Sequence, residues 1–203
     1  MITSSFNKHF LKKALYRELL DMSLIKIIFI NATSITASDY NKILLSKPLW
    51  MGIPFEKLLI FQTDSLICSN SDYSIDEFMS FDYIGSAWER ERPIGLIIDG
   101  GSGGFSLRDT KLSLEAINKF SPDIWPGGED GFFAFHMELI NGSVAKFEDC
   151  LKFSTQEFFC AKSYGCHRVE LLSQNERIAF REYEKNIVSI LNNGNSNEYF
   201  GPK

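Results

Sequence analysis

The stretch from Lys57 to Cys68, Lys-Leu-Leu-Ile-Phe-Gln-Thr-Asp-Ser-Leu-Ile-Cys, constrains the fold more than any other part of the chain. Its continuous apolar run, Leu58 to Phe61, predicts a buried strand. The run stops at polar Gln62, Thr63 and Asp64, then turns apolar again at Leu66. Burying an unpaired carboxylate is costly. Asp64, at the carboxyl end of such a strand, is therefore expected to face a cleft, a cation or both. Capping of the turn after the strand is the competing account of the same residue.

At 203 residues the chain can bury a substantial core, as one large domain or two small ones. Hydrophobic residues make up 44%, which excludes disorder for the body of the chain. Eighteen Phe and seven Tyr predict an aromatic-rich interior. The net charge of −5 argues against a nucleic-acid partner, which would need a basic stripe. A nucleotide remains open, because a metal ion and a few backbone amides can neutralise a diphosphate locally. Cys68, Cys150, Cys160 and Cys166 show no paired short spacing of the zinc-ribbon kind. Buried free thiols are expected, in a reducing, cytoplasmic setting. Residues 1 to 13 are polar and basic without a signal-peptide core. The run Leu24 to Ile30, interrupted by Lys26, is too short to cross a bilayer, so no membrane span is expected.

Along the chain, strands and helices alternate. Phe6, Phe10, Leu11, Leu15 and Leu19 predict an amphipathic helix over residues 5 to 21, followed by a strand at Leu24–Ile30. A short helix is expected at Asp39–Leu45, capped by Ser38 or Asp39. Further strands are predicted at Phe81–Ser86, Ile94–Ile98 and Gly104–Arg108, and helices at Asp109–Lys119 and Glu129–Leu139. Ser173-Gln-Asn-Glu176 forms a capping box for a helix continued by Phe180, Tyr183, Ile187 and Leu191. One domain over residues 1 to 191 is expected, with 192 to 203 as a flexible tail.

Two further segments carry chemistry. Gly100 to Gly104 holds four glycines in five positions, so backbone amides there can approach a ligand closely. It lacks the Gly-Lys-Ser/Thr of a phosphate-binding loop. A turn between strands is the plainer alternative. In Trp125-Pro-Gly-Gly-Glu-Asp-Gly-Phe-Phe133, a tight turn delivers Glu129 and Asp130 to the start of a helix. Such residues complement the helix dipole, or they serve as a general base and an acceptor clamp. Arg108 could bind a phosphate or pair with a nearby carboxylate.

The order of these segments resembles the GT-A type of nucleotide-sugar glycosyltransferase. It resembles more closely a family catalogued as a domain of unknown function and described as glycosyltransferases. The residues that carry the likeness are Asp39–Trp50, Leu59–Ser65, Phe81–Trp88, Gly103–Arg108, Glu129–Phe133, Phe153-Ser154 with Glu157, and Tyr164–His167. The resemblance implies an α/β fold, a GT-A-like (Rossmann-like) mixed sheet with helices on both faces. It also implies a divalent cation, Mn²⁺ or Mg²⁺, bridging the phosphates of a nucleotide-sugar donor. Asp64 would be its main ligand and His167 would complete its shell. Gln62 stands where the family's first motif aspartate would, and Gln62, Thr63, Gly101, Gly103, Gly104 and Arg108 would line the donor and acceptor sites. Asp130 would take the proton of a glycan or small hydroxyl acceptor, with Glu129 orienting it.

Only one helix and one strand precede residue 31, so the family's first βαβ unit is expected to be missing. An edge left open in that way would favour a homodimer or a completing partner chain. Gln62 and the short amino terminus fit a second reading, a non-catalytic relative acting as a carbohydrate-binding or assembly module.

Overall fold

The computed structural model describes residues 2–4, 28–30, 35–62, 64–93 and 95–184. The helix expected over residues 5 to 21, Thr63, Ile187, Leu191 and the tail from 192 lie outside the described residues. By its contacts the chain divides into two compact units, Met1–Tyr40 with Glu198–Lys203, and Asn41–Asn197. In the first, β1 (Ile2–Ser4) and β2 (Ile28–Ile30) pair in parallel.

Helix α1 spans Ala37–Leu44, and its cap is Thr36 rather than Ser38 or Asp39. The Thr36 hydroxyl accepts the Asp39 amide at 3.1 Å and donates to the Asp39 carboxylate at 2.7 Å. A threonine cap reproduces what Ser38 was expected to do, two residues earlier. Helix α2 (Lys47–Met51) follows, with proline in its first turn.

The second unit is built on two three-stranded sheets, mostly antiparallel, in place of the single mixed sheet expected. In one, β3 (Lys57–Phe61) and β5 (Tyr83–Ser86) flank β6 (Ser102–Asp109), both antiparallel to it. In the other, β8 (Gly165–His167) lies between β4 (Ser65–Ile67), antiparallel, and β7 (Ser154–Thr155), parallel. The apolar-polar-apolar pattern of residues 57 to 68 is the reason for the split. β3 and β4 are joined by the Gln62–Asp64 turn, so each strand goes to a different sheet. Ile97, in the expected strand 94–98, makes only an isolated bridge to Glu91.

Successive residues of a strand face opposite sides, and both faces of the β6 sheet are covered. Tyr83 packs with Trp50, Trp88, Ile98 and the α4 (Glu129–Leu139) residues Phe132, Phe133 and Met137. Ala116 and Ile117 of α3 (Thr110–Lys119) join them. On the other side Ile84, Phe105 and Leu107 pack with Phe78, Tyr164 and the α5 (Phe147–Phe153) residues Cys150 and Phe153. A third cluster, Cys68, Cys166, Val169, Leu172 and Phe180, lies under α6 (Gln174–Tyr183). The Ser173–Glu176 capping box opens α6, as its sequence pattern predicts. Among the described residues, no helix is long and apolar enough to cross a membrane.

All four cysteines are free, with Cys68, Cys150 and Cys166 buried and Cys160 half-buried. Burial pushes the Cys150 thiol up to about 12. Thiolate is the reactive form. A thiol-reactive disulfide reagent at mild pH should therefore label Cys160 first, and the three buried cysteines only on unfolding. Peptide mass spectrometry of native and denatured samples reads this directly, and prompt native labelling of Cys150 would contradict the packing.

Candidate functional site

Register brings the first pair of candidate residues together. β3 ends at Phe61, and the Gln62 amide continues the ladder by donating to the Gly104 carbonyl at 2.8 Å. The chain then turns, with the Ser65 amide bonded to the Gln62 carbonyl at 3.0 Å. Ser65 opens β4 directly opposite His167 of β8. Asp64, one residue before, therefore reaches the histidine: its Oδ1 lies 3.5 Å from His167 Nε2. The Arg168 amide donates to the Asp64 carbonyl at 3.4 Å.

His167 is 2% exposed and meets three side-chain oxygens. Its Nδ1 lies 2.6 Å from Gln156 Oε1, and its Nε2 lies 3.2 Å from Gln62 Oε1 as well as near Asp64. With Nδ1–H donating to Gln156, the Nε2 lone pair would confront two acceptors. A second ring proton or a cation at that point resolves the clash. A Gln62 amide turned over would serve the nitrogen but leave the carboxylate unserved. Burial alone would raise the Asp64 carboxyl. The hydrogen bond and attraction of His167, its own backbone amide and Arg168 outweigh that and hold it below the usual range.

Among the described residues, no group of three or more His, Cys, Asp or Glu side chains converges on one point. The set that does converge is one carboxylate, one imidazole and one neutral amide. These three side chains could contribute oxygen and nitrogen ligands to a divalent ion, which would need its remaining ligands from elsewhere. A bond from Nδ1 to a carbonyl is the usual support for a histidine that ligates through Nε2.

Gln156 was not singled out in the sequence, where an isolated polar residue reads as surface. The parallel pairing of Ser154 with Gly165 and Thr155 with Cys166 carries the next residue, Gln156, to His167. No local pattern signals so short a strand.

The second pair is set by α4. Gly128 caps the helix, the Trp125 indole donates to its carbonyl at 3.0 Å, and Asn41 accepts the Glu129 amide at 3.2 Å. Asp130 is half-buried. Its Oδ2 accepts the Gly103 amide at 3.3 Å and its Oδ1 the Gly131 amide at 2.8 Å. Glu129 is different: it is 3% exposed and bonded through both oxygens to Arg108. Arg108, fully buried, is thus spent on Glu129 and on Ser106 rather than turned toward a ligand phosphate. Glu129 is likewise turned inward rather than toward an acceptor.

The glycine segment is also closed. Gly100 and Gly101 take φ of +92° and +82°, and a Cβ on Gly101 would fall 2.4 Å from the Ser86 carbonyl oxygen. A Cβ on Gly103 would lie 2.5 Å from Glu129 Oε1, 2.6 Å from Arg108 Nη2 and 2.9 Å from the Asp130 Cβ. On Gly104 it would lie 2.0 Å from the His167 ring. The space expected for a ligand at Gly101, Gly103 and Gly104 is filled by the protein's own groups. These glycines let Asp130 and His167 lie against neighbouring residues of one strand.

The chain belongs to the family described as Protein of unknown function (DUF5672), whose model matches residues 24–167. Every candidate residue named above falls within that stretch. No curated protein and no solved structure matches the chain.

Two outcomes follow. Gly104→Ala should lower stability by about 1–3 kcal/mol, the usual penalty of overpacking, because the methyl must displace His167. Gly131→Ala should be neutral or stabilising, since its Cβ would meet only ordinary contacts of 3.4 Å or more in a helix. Thermal melts of both variants check the contrast. Asp64 gives a pH signature as well. Its lowered folded pKa contributes stability above the ordinary carboxylate value of about 3.9 and loses it as pH falls through the folded value. The gap in melting temperature between wild type and Asp64→Asn should therefore narrow as pH falls through and below the ordinary carboxylate range. A constant gap would separate Asp64 from the His167 contact.

Proposed function

We propose that this chain is a cation-assisted glycosyltransferase with a GT-A-like site, moving a sugar from a nucleotide-sugar donor to an acceptor hydroxyl. The observation that carries the reading is the placement of two polar centres on adjacent residues. Asp130 is bonded to the Gly103 amide, and His167, with Asp64 and Gln62, lies against Gly104. Backbone geometry keeps Asp130 and His167 within roughly 12 Å of each other.

Asp64, His167 and the Gln62 carbonyl would hold Mn²⁺ or Mg²⁺, which when bound neutralises charge on a departing diphosphate. Asp130 would accept the acceptor proton as the acceptor oxygen bonds to the anomeric carbon. The anomeric carbon–phosphate oxygen bond breaks, and its electron pair leaves with the nucleoside diphosphate. The Gly103 N–H fixes the Asp130 carboxylate for this step, and Gln156 orients His167. Glu129 and Arg108 would stand behind the site rather than in it. A carbohydrate-binding relative without turnover is the second reading, favoured by Gln62, which supplies an oxygen but no charge.

A thermal-shift panel of nucleoside diphosphate sugars, each with and without Mn²⁺, tests the proposal. One donor should raise the midpoint in a Mn²⁺-dependent way, as any ligand selective for the folded state does. Asp64→Asn should abolish the Mn²⁺-dependent part while still folding. Asp130→Asn should keep donor binding but lower turnover ~10²–10⁴-fold, the range for a lost general base. Donor binding without turnover in wild type would select the second reading, and no shift with any donor would sink both.

A further inference from the structure

We propose that Arg108 and Glu129 form a positioning device that aims Asp130, an inference that rests on Asp130 being the proton acceptor. Arg108 is fully buried, with its guanidinium 5.0 Å from the Tyr83 ring centre and 5.2 Å from that of Phe133. Its Nε donates to Ser106 Oγ at 3.0 Å, Nη2 to Glu129 Oε1 at 3.2 Å, and Nη1 to Glu129 Oε2. Glu129 is the first residue of α4, and its backbone amide is held by Asn41. The first turn of the helix is therefore gripped twice, by Asn41 on the backbone and by Arg108 on the side chain. Asp130 is the next residue, and all three charged side chains crowd the place where Gly103 lacks a Cβ.

Stability alone does not account for such a pair. A buried ion pair loses hydration on both sides, and apolar replacements of similar volume are often as stable or more so. The bidentate fork supplies direction instead, since a planar guanidinium fixes the carboxylate in a way no aliphatic contact can. Burial also pushes the Glu129 carboxyl up, with Arg108 opposing and Asp130 adding to the rise. A group so enclosed is poorly placed to trade protons with an acceptor, whereas half-buried Asp130 has access to solvent.

The test separates aim from stability. The double variant Arg108→Met with Glu129→Leu removes both charges and should melt within about 5 °C of wild type. Its Gly103 amide, which donates to Asp130, should exchange with solvent at least ~10-fold faster by NMR, while other β6 amides keep their protection. Arg108→Lys keeps the charge but loses the fork. It should show the same selective release of Gly103, and it stands in if the double variant fails to fold. Where sugar transfer is measured, both variants should lose turnover by ~10²-fold with donor KM unchanged, as expected for a misplaced reacting group. Unchanged Gly103 exchange in a folded variant, or full turnover in the double variant, overturns the proposal. Selective release of Gly103 in a protein that transfers no sugar upholds the positioning of Asp130 and removes the transferase reading alone.

Discussion

Strand β6 is the member on which the rest of the second unit depends. It is buried from Ser102 to Arg108 and hydrogen-bonded to an antiparallel neighbour on each side. A strand so enclosed has no room for side chains wherever other groups must touch its backbone. Glycine at 103 and 104 meets that constraint, and the groups that come in are polar. Near the same point the β5 register shifts, with Gly85 opposite Ser106 and Ser86 opposite Ser102. Bulges of this kind locally release the ladder and recur beside functional sites. Here the release frees the Gly103 amide to bond Asp130 rather than a neighbouring strand.

The two acidic residues illustrate how surroundings divide roles between similar groups. Glu129 is buried with its charge matched by Arg108, whose guanidinium lies over the Tyr83 and Phe133 rings, and burial still pushes its carboxyl up. Asp64 sits in a turn, partly open, and His167, backbone and Arg168 together hold it low. An acid held low beside a histidine would suit a cation. An acid enclosed with an arginine suits a fixed geometry.

Local signals in the sequence were enough for elements whose pattern is self-contained. The turn from Gln62 to Ser65 and the helix from Glu129 to Leu139 stand where they are expected, and the Lys57–Phe61 strand does too, although it is half-buried with Phe61 exposed rather than buried. Asp64 and His167, widely separated in sequence, lie together in the structure. What the sequence hid depends on pairings of very short strands. β7 has two residues and β8 three, too few for a period to register. That is why Gln156 and the division into separate sheets went unread. Arg108 was ambiguous for another reason. An arginine at the end of a strand reads alike whether it faces a phosphate or a buried carboxylate, and only the position of α4 decides.

Gln62 bears most on how the proposed site would work. A carboxylate in its place would add a charge that holds a divalent ion without help. A neutral amide leaves Asp64, among the described residues, as the single anionic side chain near His167 Nε2. On the proposed reading, the ion would then depend on the donor's phosphates for much of its charge neutralisation. Binding of the two becomes linked, and linkage is reciprocal: whatever factor the donor adds to ion affinity, the ion must add to donor affinity. A site of this composition would remain weakly occupied until its donor arrives. The buried Arg108–Glu129 pair needs no ligand to be complete, so Asp130 would already be aimed before that happens. On the proposed reading, one half of the site would be assembled by folding, and the other half would wait for the substrate to supply its charge.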